Sequence, residues 1–184
     1  NQDLIELVDI LRAEDTETEW LEFKSNYLSN QNIGEYISAL SNGAALKGRP
    51  FGYLIFGVDD KTHEVFGTNF DYRRQKQGNE DLENWLNRLT EPKIGFAIYN
   101  VQYAAAKHLV MFEIPAAFNQ PTAFAGREYI RIGSYRQDLR RYPETEKQLW
   151  YALNRVSYEQ TISSEQNLHF KEMTLIARSR RIDF

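Results

Sequence analysis

The stretch TETEWLEFKSN, Thr16 to Asn26, sets Glu17, Glu19, Glu22 and Lys24 around Trp20, Leu21 and Phe23. Leu21 and Phe23 alternate with Glu22 and Lys24, the period of a strand with one apolar and one polar face. Glu22 and Lys24 then share a side, roughly 7 Å apart along the strand. A second acidic pair, Asp59-Asp60, sits at the end of another strand-like run. Carboxylates that converge without cationic partners repel one another, so such a cluster commonly holds a hard cation such as Mg²⁺ or Mn²⁺. A metal held by Glu17, Glu22 and Asp59 or Asp60 would activate water and stabilise a phosphoryl transition state. Lys24 would offset phosphate charge beside it. The plainer reading of the same residues is a surface Glu22–Lys24 ion pair and a turn at Asp59-Asp60.

The basic residues offer a different chemistry. Arg127, Arg131, Arg136, Arg140 and Arg141 fall within fifteen residues together with Tyr129 and Tyr135, against Glu128 and Asp138. Arginines interleaved with aromatics can hold phosphates while the rings stack on bases. A solvated, salt-bridged edge produces the same pattern. Lys47 and Arg49 add two cations in a loop, and Arg73, Arg74 and Lys76 form a weaker cluster. The formal charge of −4 excludes a uniform positive coat, but a local basic face depends on arrangement and not on the sum.

Other chemistries are excluded. Gly43 and Gly48 have the spacing of a phosphate-binding loop, yet Arg49-Pro50 follows where Lys and Ser or Thr are needed, and a helix precedes in place of a strand. His63, His108 and His169 are scattered without zinc spacing. Cysteine is absent, so neither disulfides nor thiolate metal sites arise. No apolar run is long enough to span a bilayer and no leader pattern opens the chain, so no membrane role and a cytoplasmic location are expected.

Several elements must carry these residues. Leu4, Leu7, Val8 and Leu11 predict a helix over 3–12. Ile33, Ile37, Leu40 and Ala44 predict a second, with Asn42-Gly43 as its stop signal. The apolar run Tyr53 to Val58 reads as a central strand covered on both faces, and Asp59 to Thr62 as a turn into HEVFG, making a hairpin. Leu82, Trp85, Leu86 and Leu89 predict a helix closed by Pro92. FAIYNVQY and HLVMFEIP form a second hairpin across Ala104 to Ala106. In EYIRIG, Ile130 and Ile132 face one way and Tyr129 and Arg131 the other. Pro143 opens a last helix with Leu149, Trp150 and Leu153 as its buried stripe. Helices interleave with strands, some joined as hairpins, so the fold class is α+β with a mixed, mostly antiparallel sheet flanked by helices. Residues 1–157 form the domain; 158–184 read as a linker and the start of a following module.

Four ordered segments, ETEWLEFK, EYISALSNG, YLIFGVDDKTHEVFG and EYIRIGSY, resemble the Schlafen AlbA-type domain, also called the divergent AAA-type domain, over roughly residues 15–155. The resemblance implies an AlbA/Schlafen-like nucleic-acid-binding domain of a bacterial transcriptional regulator related to the RecG C-terminal region. It carries over two glutamates as Glu17 and Glu22, with Lys24 beside them, and an aspartate as Asp59 or Asp60. These are the residues with which animal relatives cut transfer and ribosomal RNA. Two departures stand out: SNGAALKGRPFG replaces the family's shorter turn, and Tyr142-Pro143 replaces its Ser-Pro helix start. The animal nucleases build their groove from two copies of the domain, so one copy supplies it only as a homodimer. Three functions follow. The first is binding of DNA or RNA through Lys47, Arg49, Arg73, Arg74, Arg131, Arg136 and Arg140. The second is an endoribonuclease using Mg²⁺ or Mn²⁺ on Glu17, Glu22 and Asp60. The third is a protein-interaction domain.

Overall fold

A computed structural model describes residues 2–14 and 18–155. In chain order the elements are α1 (Gln2–Arg12), β1 (Leu21–Lys24), α2 (Asn30–Leu46), β2 (Phe51–Phe56), β3 (Lys76–Gln77), β4 (Glu80–Asp81), α3 (Leu82–Leu89), β5 (Thr90–Glu91), β6 (Ala97–Ala104) and β7 (Lys107–Pro115). Then come β8 (Ala123–Phe124), β9 (Arg127–Ile132), β10 (Tyr135–Asp138), a 3₁₀ turn Leu139–Arg141, and α4, helical over 143–155. The class is α+β. One sheet has the order β1-β2-β7-β6 and a second β10-β9-β8-β5. Only β1 and β2 run parallel within these two sheets; their other pairs are antiparallel.

Strand periodicity decides what packs where. Along β2, Leu54 and Phe56 join Ile33, Ile37 and Leu40 of α2, while Tyr53 and Ile55 join Val8 and Leu11 of α1. The sheet is therefore covered on both faces, which is why β2 is apolar throughout. Leu21 and Phe23 of β1 point to the α1 side. That leaves Glu22 and Lys24 pointing toward α2. The opposite side of α2 receives β8 and β9, and α4 closes the far face of β9 by packing Leu149 and Leu153 against Ile130 and Leu139.

Three local expectations are corrected. Asn42-Gly43 does not stop α2, which continues to Leu46. The Asn42 side chain instead donates to the carbonyls of Thr122 and Tyr129 and accepts from the Thr122 N–H. Gly43 lets the helix pass the backbone of Glu19, where any Cβ would overlap the carbonyl. HEVFG turns back as expected but forms no full strand: one antiparallel bridge joins Val58 to Val65, flanked by bonds from Asp59 N–H to the Glu64 carbonyl and from Phe66 N–H to the Gly57 carbonyl. Both edges of β2 are already taken, by β1 and β7. Trp150 is not in the buried stripe of α4; it is 38% exposed, one residue round from Leu149. The module expected at 158–184 lies outside the described residues.

Candidate functional site

Glu22 is 1% exposed, although it lies on the polar face of its strand. Burying a carboxylate costs several kcal/mol unless cations and hydrogen-bond donors replace the lost water. Here Lys24 Nζ pairs with Glu22 Oε1, and the Tyr36 hydroxyl donates to the same oxygen at 3.3 Å. Arg131 Nε stands 2.8 Å from Oε2, close enough for strong attraction though not aligned as a hydrogen bond. Arg131 is itself fully buried. Its Nη1 donates to the carbonyls of Thr18 and Leu21, the latter at 2.5 Å. The carbonyls of Trp20 and Lys24 are taken by β2, so by alternation that of Leu21 faces the free edge of β1. Arg131 caps this edge and ties the first sheet to the second.

A second charged layer lies outside the first. Asn32, Glu35 and Tyr36 are spaced as one stripe of α2. Arg136 Nη2 sits 2.7 Å from Glu35 Oε2 and donates to Asn32 Oδ1 at 2.9 Å. The Tyr129 hydroxyl donates to Glu35 Oε1 at 3.3 Å. Arg136 and Arg131 are direct partners across β10 and β9, a placement that would repel like charges. Each guanidinium has its own carboxylate, Glu22 or Glu35, and the repulsion is offset. Tyr36 joins the layers, its ring centroid 4.6 Å from the Arg136 guanidinium and 5.6 Å from Lys24 Nζ. Burial pushes the Tyr36 phenol upward, as does the Glu22 carboxylate, while the neighbouring Lys24, Arg136 and Arg131 oppose the rise. Burial, and then Glu35, raise Tyr129 likewise. These two layers set Lys24, Arg131 and Arg136 against Glu22 and Glu35.

Among the described residues, the acids expected to share a metal, Glu22, Asp59 and Asp60, form no common cluster. Asp59 lies past the end of β2, whereas Glu22 pairs with Leu54 in its middle. Asp59 Oδ1 accepts from the N–H groups of Lys61 and Thr62 at 3.0 and 2.8 Å and from the Thr62 hydroxyl. Those bonds hold its carboxyl below the usual range. Asp60 is exposed in the same turn. Glu17 is outside the described residues, among which no group of three His, Asp or Glu is arranged for a metal. Glu22, already neutralised by Lys24 and Arg131, does not fit as a ligand of Mg²⁺ or Mn²⁺.

The remaining cations are scattered. Lys47 pairs with Glu19 at 3.0 Å, and Arg49 stacks 4.6 Å from the Trp20 ring, folding that loop against the segment before β1. Arg73 leans on its neighbour Tyr72, and Arg74, 87% exposed, pairs with Asp71. Asn30 donates to the Lys76 carbonyl, which places this basic segment near the start of α2. Arg140 is exposed just before α4. Arg131, expected on a phosphate-facing edge, is instead the most enclosed of the arginines discussed. Asn32, Glu35 and Tyr36 were not singled out by their chemistry. Their signal is a polar stripe beside the apolar positions Ile33, Ile37 and Leu40.

The chain matches the model of the family described as Schlafen, AlbA_2 over residues 17–140. It belongs to that family. The matched span contains every residue of the two charged layers and ends before α4. The fold is also similar to the N-terminal domain of a RecG-related protein from Nitrosomonas europaea, with 24% identity over 72% of this chain and 90% of that one and a TM-score of 0.42. A second similar structure is the DIP2311 protein from Corynebacterium diphtheriae, at 16% identity over 74% of this chain with a TM-score of 0.40. This Schlafen AlbA_2 chain spans only 26% of that protein's length. No curated protein matches it. Among the described residues no helix is long and apolar enough to cross a membrane.

Proposed function

We propose that this domain binds the phosphate backbone of nucleic acid, as the DNA- or RNA-contacting part of a transcriptional regulator. The observation that carries the reading is the cationic surplus where β1, α2 and β10 meet, in a chain of the Schlafen AlbA_2 family. Lys24 and Arg136 form the outer part of that cluster, with side chains 21% and 18% exposed. A guanidinium carries five donors, and the ion pair of Arg136 with Glu35 and its hydrogen bond to Asn32 use one nitrogen. Arg131 and Glu22 support these groups from below and do not touch the ligand. Arg73, Arg74 and Arg140 are exposed and add charge elsewhere on the surface.

The test is fluorescence anisotropy of labelled DNA and RNA against rising salt, with and without chelator. Affinity is expected to fall linearly on a log–log plot, by about 0.7–0.9 log unit per phosphate contact, and to persist in chelator. Arg136→Gln should reduce that slope by about one contact. Absent binding at low salt, or affinity indifferent to salt, would overturn the reading.

A further inference from the structure

We infer that the cavity between the C-terminal end of α2 and α4 takes an unpaired nucleobase, making single-stranded nucleic acid the substrate class; this rests on the backbone-binding reading above. The cavity has a volume of about 430 Å³, within the range of small-molecule sites. Gln148, Tyr151, Ala152 and Arg155 line one side, a set at i, i+3, i+4 and i+7 that makes one stripe of a helix. The adjoining stripe, Leu149 and Leu153, is buried against Ile130 and Leu139, so the lining is held on an anchored element. Opposite lie Leu46, Lys47 and Gly48. Gly48 has φ +63° and nothing within 4 Å of where a Cβ would stand, which leaves the mouth open on that side.

Each lining group matches a part of a nucleotide. Tyr151 is 72% exposed, so its ring presents a face on which any base can stack. The Gln148 amide carries donor and acceptor together, as a base edge requires. Lys47 and Arg155 supply positive charge at the rim for the adjoining phosphates. The Lys47–Glu19 pair is solvent-exposed at both ends and is therefore weak and exchangeable. A duplex keeps its bases stacked and cannot offer one to this cavity.

The experiment compares a labelled oligothymidylate with a duplex of equal length, using the 184-residue chain and its Tyr151→Ala, Tyr151→Phe and Arg136→Gln variants. Tyr151→Ala should weaken single-strand binding about tenfold, the loss of one stacked base. Duplex binding and the thermal midpoint should not change, and Tyr151→Phe should bind as the parent does. Unchanged single-strand affinity in Tyr151→Ala, or equal loss on both ligands, would overturn the inference. If Arg136→Gln still lowers the salt slope in that case, backbone binding survives without the base pocket. Failure of the parent chain to bind either ligand would remove both.

Discussion

Glu22 lies within β1 and Asp59 just past the end of the neighbouring β2, and both lie in stretches dense with charge. Their surroundings diverge. Asp59 is satisfied within three residues by the N–H groups of Lys61 and Thr62, in a turn that water reaches. Glu22 draws on Lys24, on Tyr36 in the next helix and on Arg131 in another sheet. The first is a local device, closing a turn whose residues contain nearly everything needed. The second joins three elements, and a change in any one partner leaves the others charged and enclosed. Carboxylates that look alike in sequence therefore differ in what their removal would cost.

The largest expected effect comes from breaking the enclosed set. Arg131→Ala would leave Glu22 with a buried oxygen no longer facing a guanidinium and the Leu21 carbonyl without its donor. Removing one partner of a buried pair costs about 3–5 kcal/mol, measurable by urea unfolding. At Asp59 the expectation is a small effect with a definite pH signature. Its carboxyl is held below the ordinary value in the folded chain, so its contribution is present above the unfolded carboxylate pKa and lost as pH falls through the folded one. Asp59→Asn should lower the neutral plateau slightly and flatten the acid-side fall, so that parent and variant converge at low pH, as urea unfolding across the pH range would show. An Arg131→Ala loss as small as that of Asp59→Asn would erase the contrast between the two regions.

Much of this was legible in the chain, for reasons that separate the two regions again. The strand β1, its alternation and the shared side of Glu22 and Lys24 follow from a period of two. The continuous apolar run of β2 announced a strand covered on both faces. Asp59 as a turn former needed only its neighbours. What covers the polar face of β1 could not be read, because Arg131 is more than a hundred residues away and its burial depends on α2 bringing two sheets together. The acidic strand and the arginine-rich segment invited separate chemistries, metal binding and phosphate binding. In the fold they meet, and Glu22 and Arg131 become each other's partner. The end of α2 was missed for a similar reason. Asn42-Gly43 has the composition of a stop, but Asn42 is held by Thr122 and Tyr129, and Gly43 answers a close approach by Glu19.

The central claim is that the charged face of β1 is an internal clamp to β9 that supports an outer cationic layer, and the most direct test is a double-mutant cycle. Urea unfolding of the parent chain, Glu22→Gln, Arg131→Met and the double variant gives the coupling between the two side chains. The account predicts that the double variant is less destabilised than the sum of the singles, by more than about 1 kcal/mol. Additivity within about 0.5 kcal/mol would mean that Glu22 and Arg131 do not depend on one another, and would contradict it.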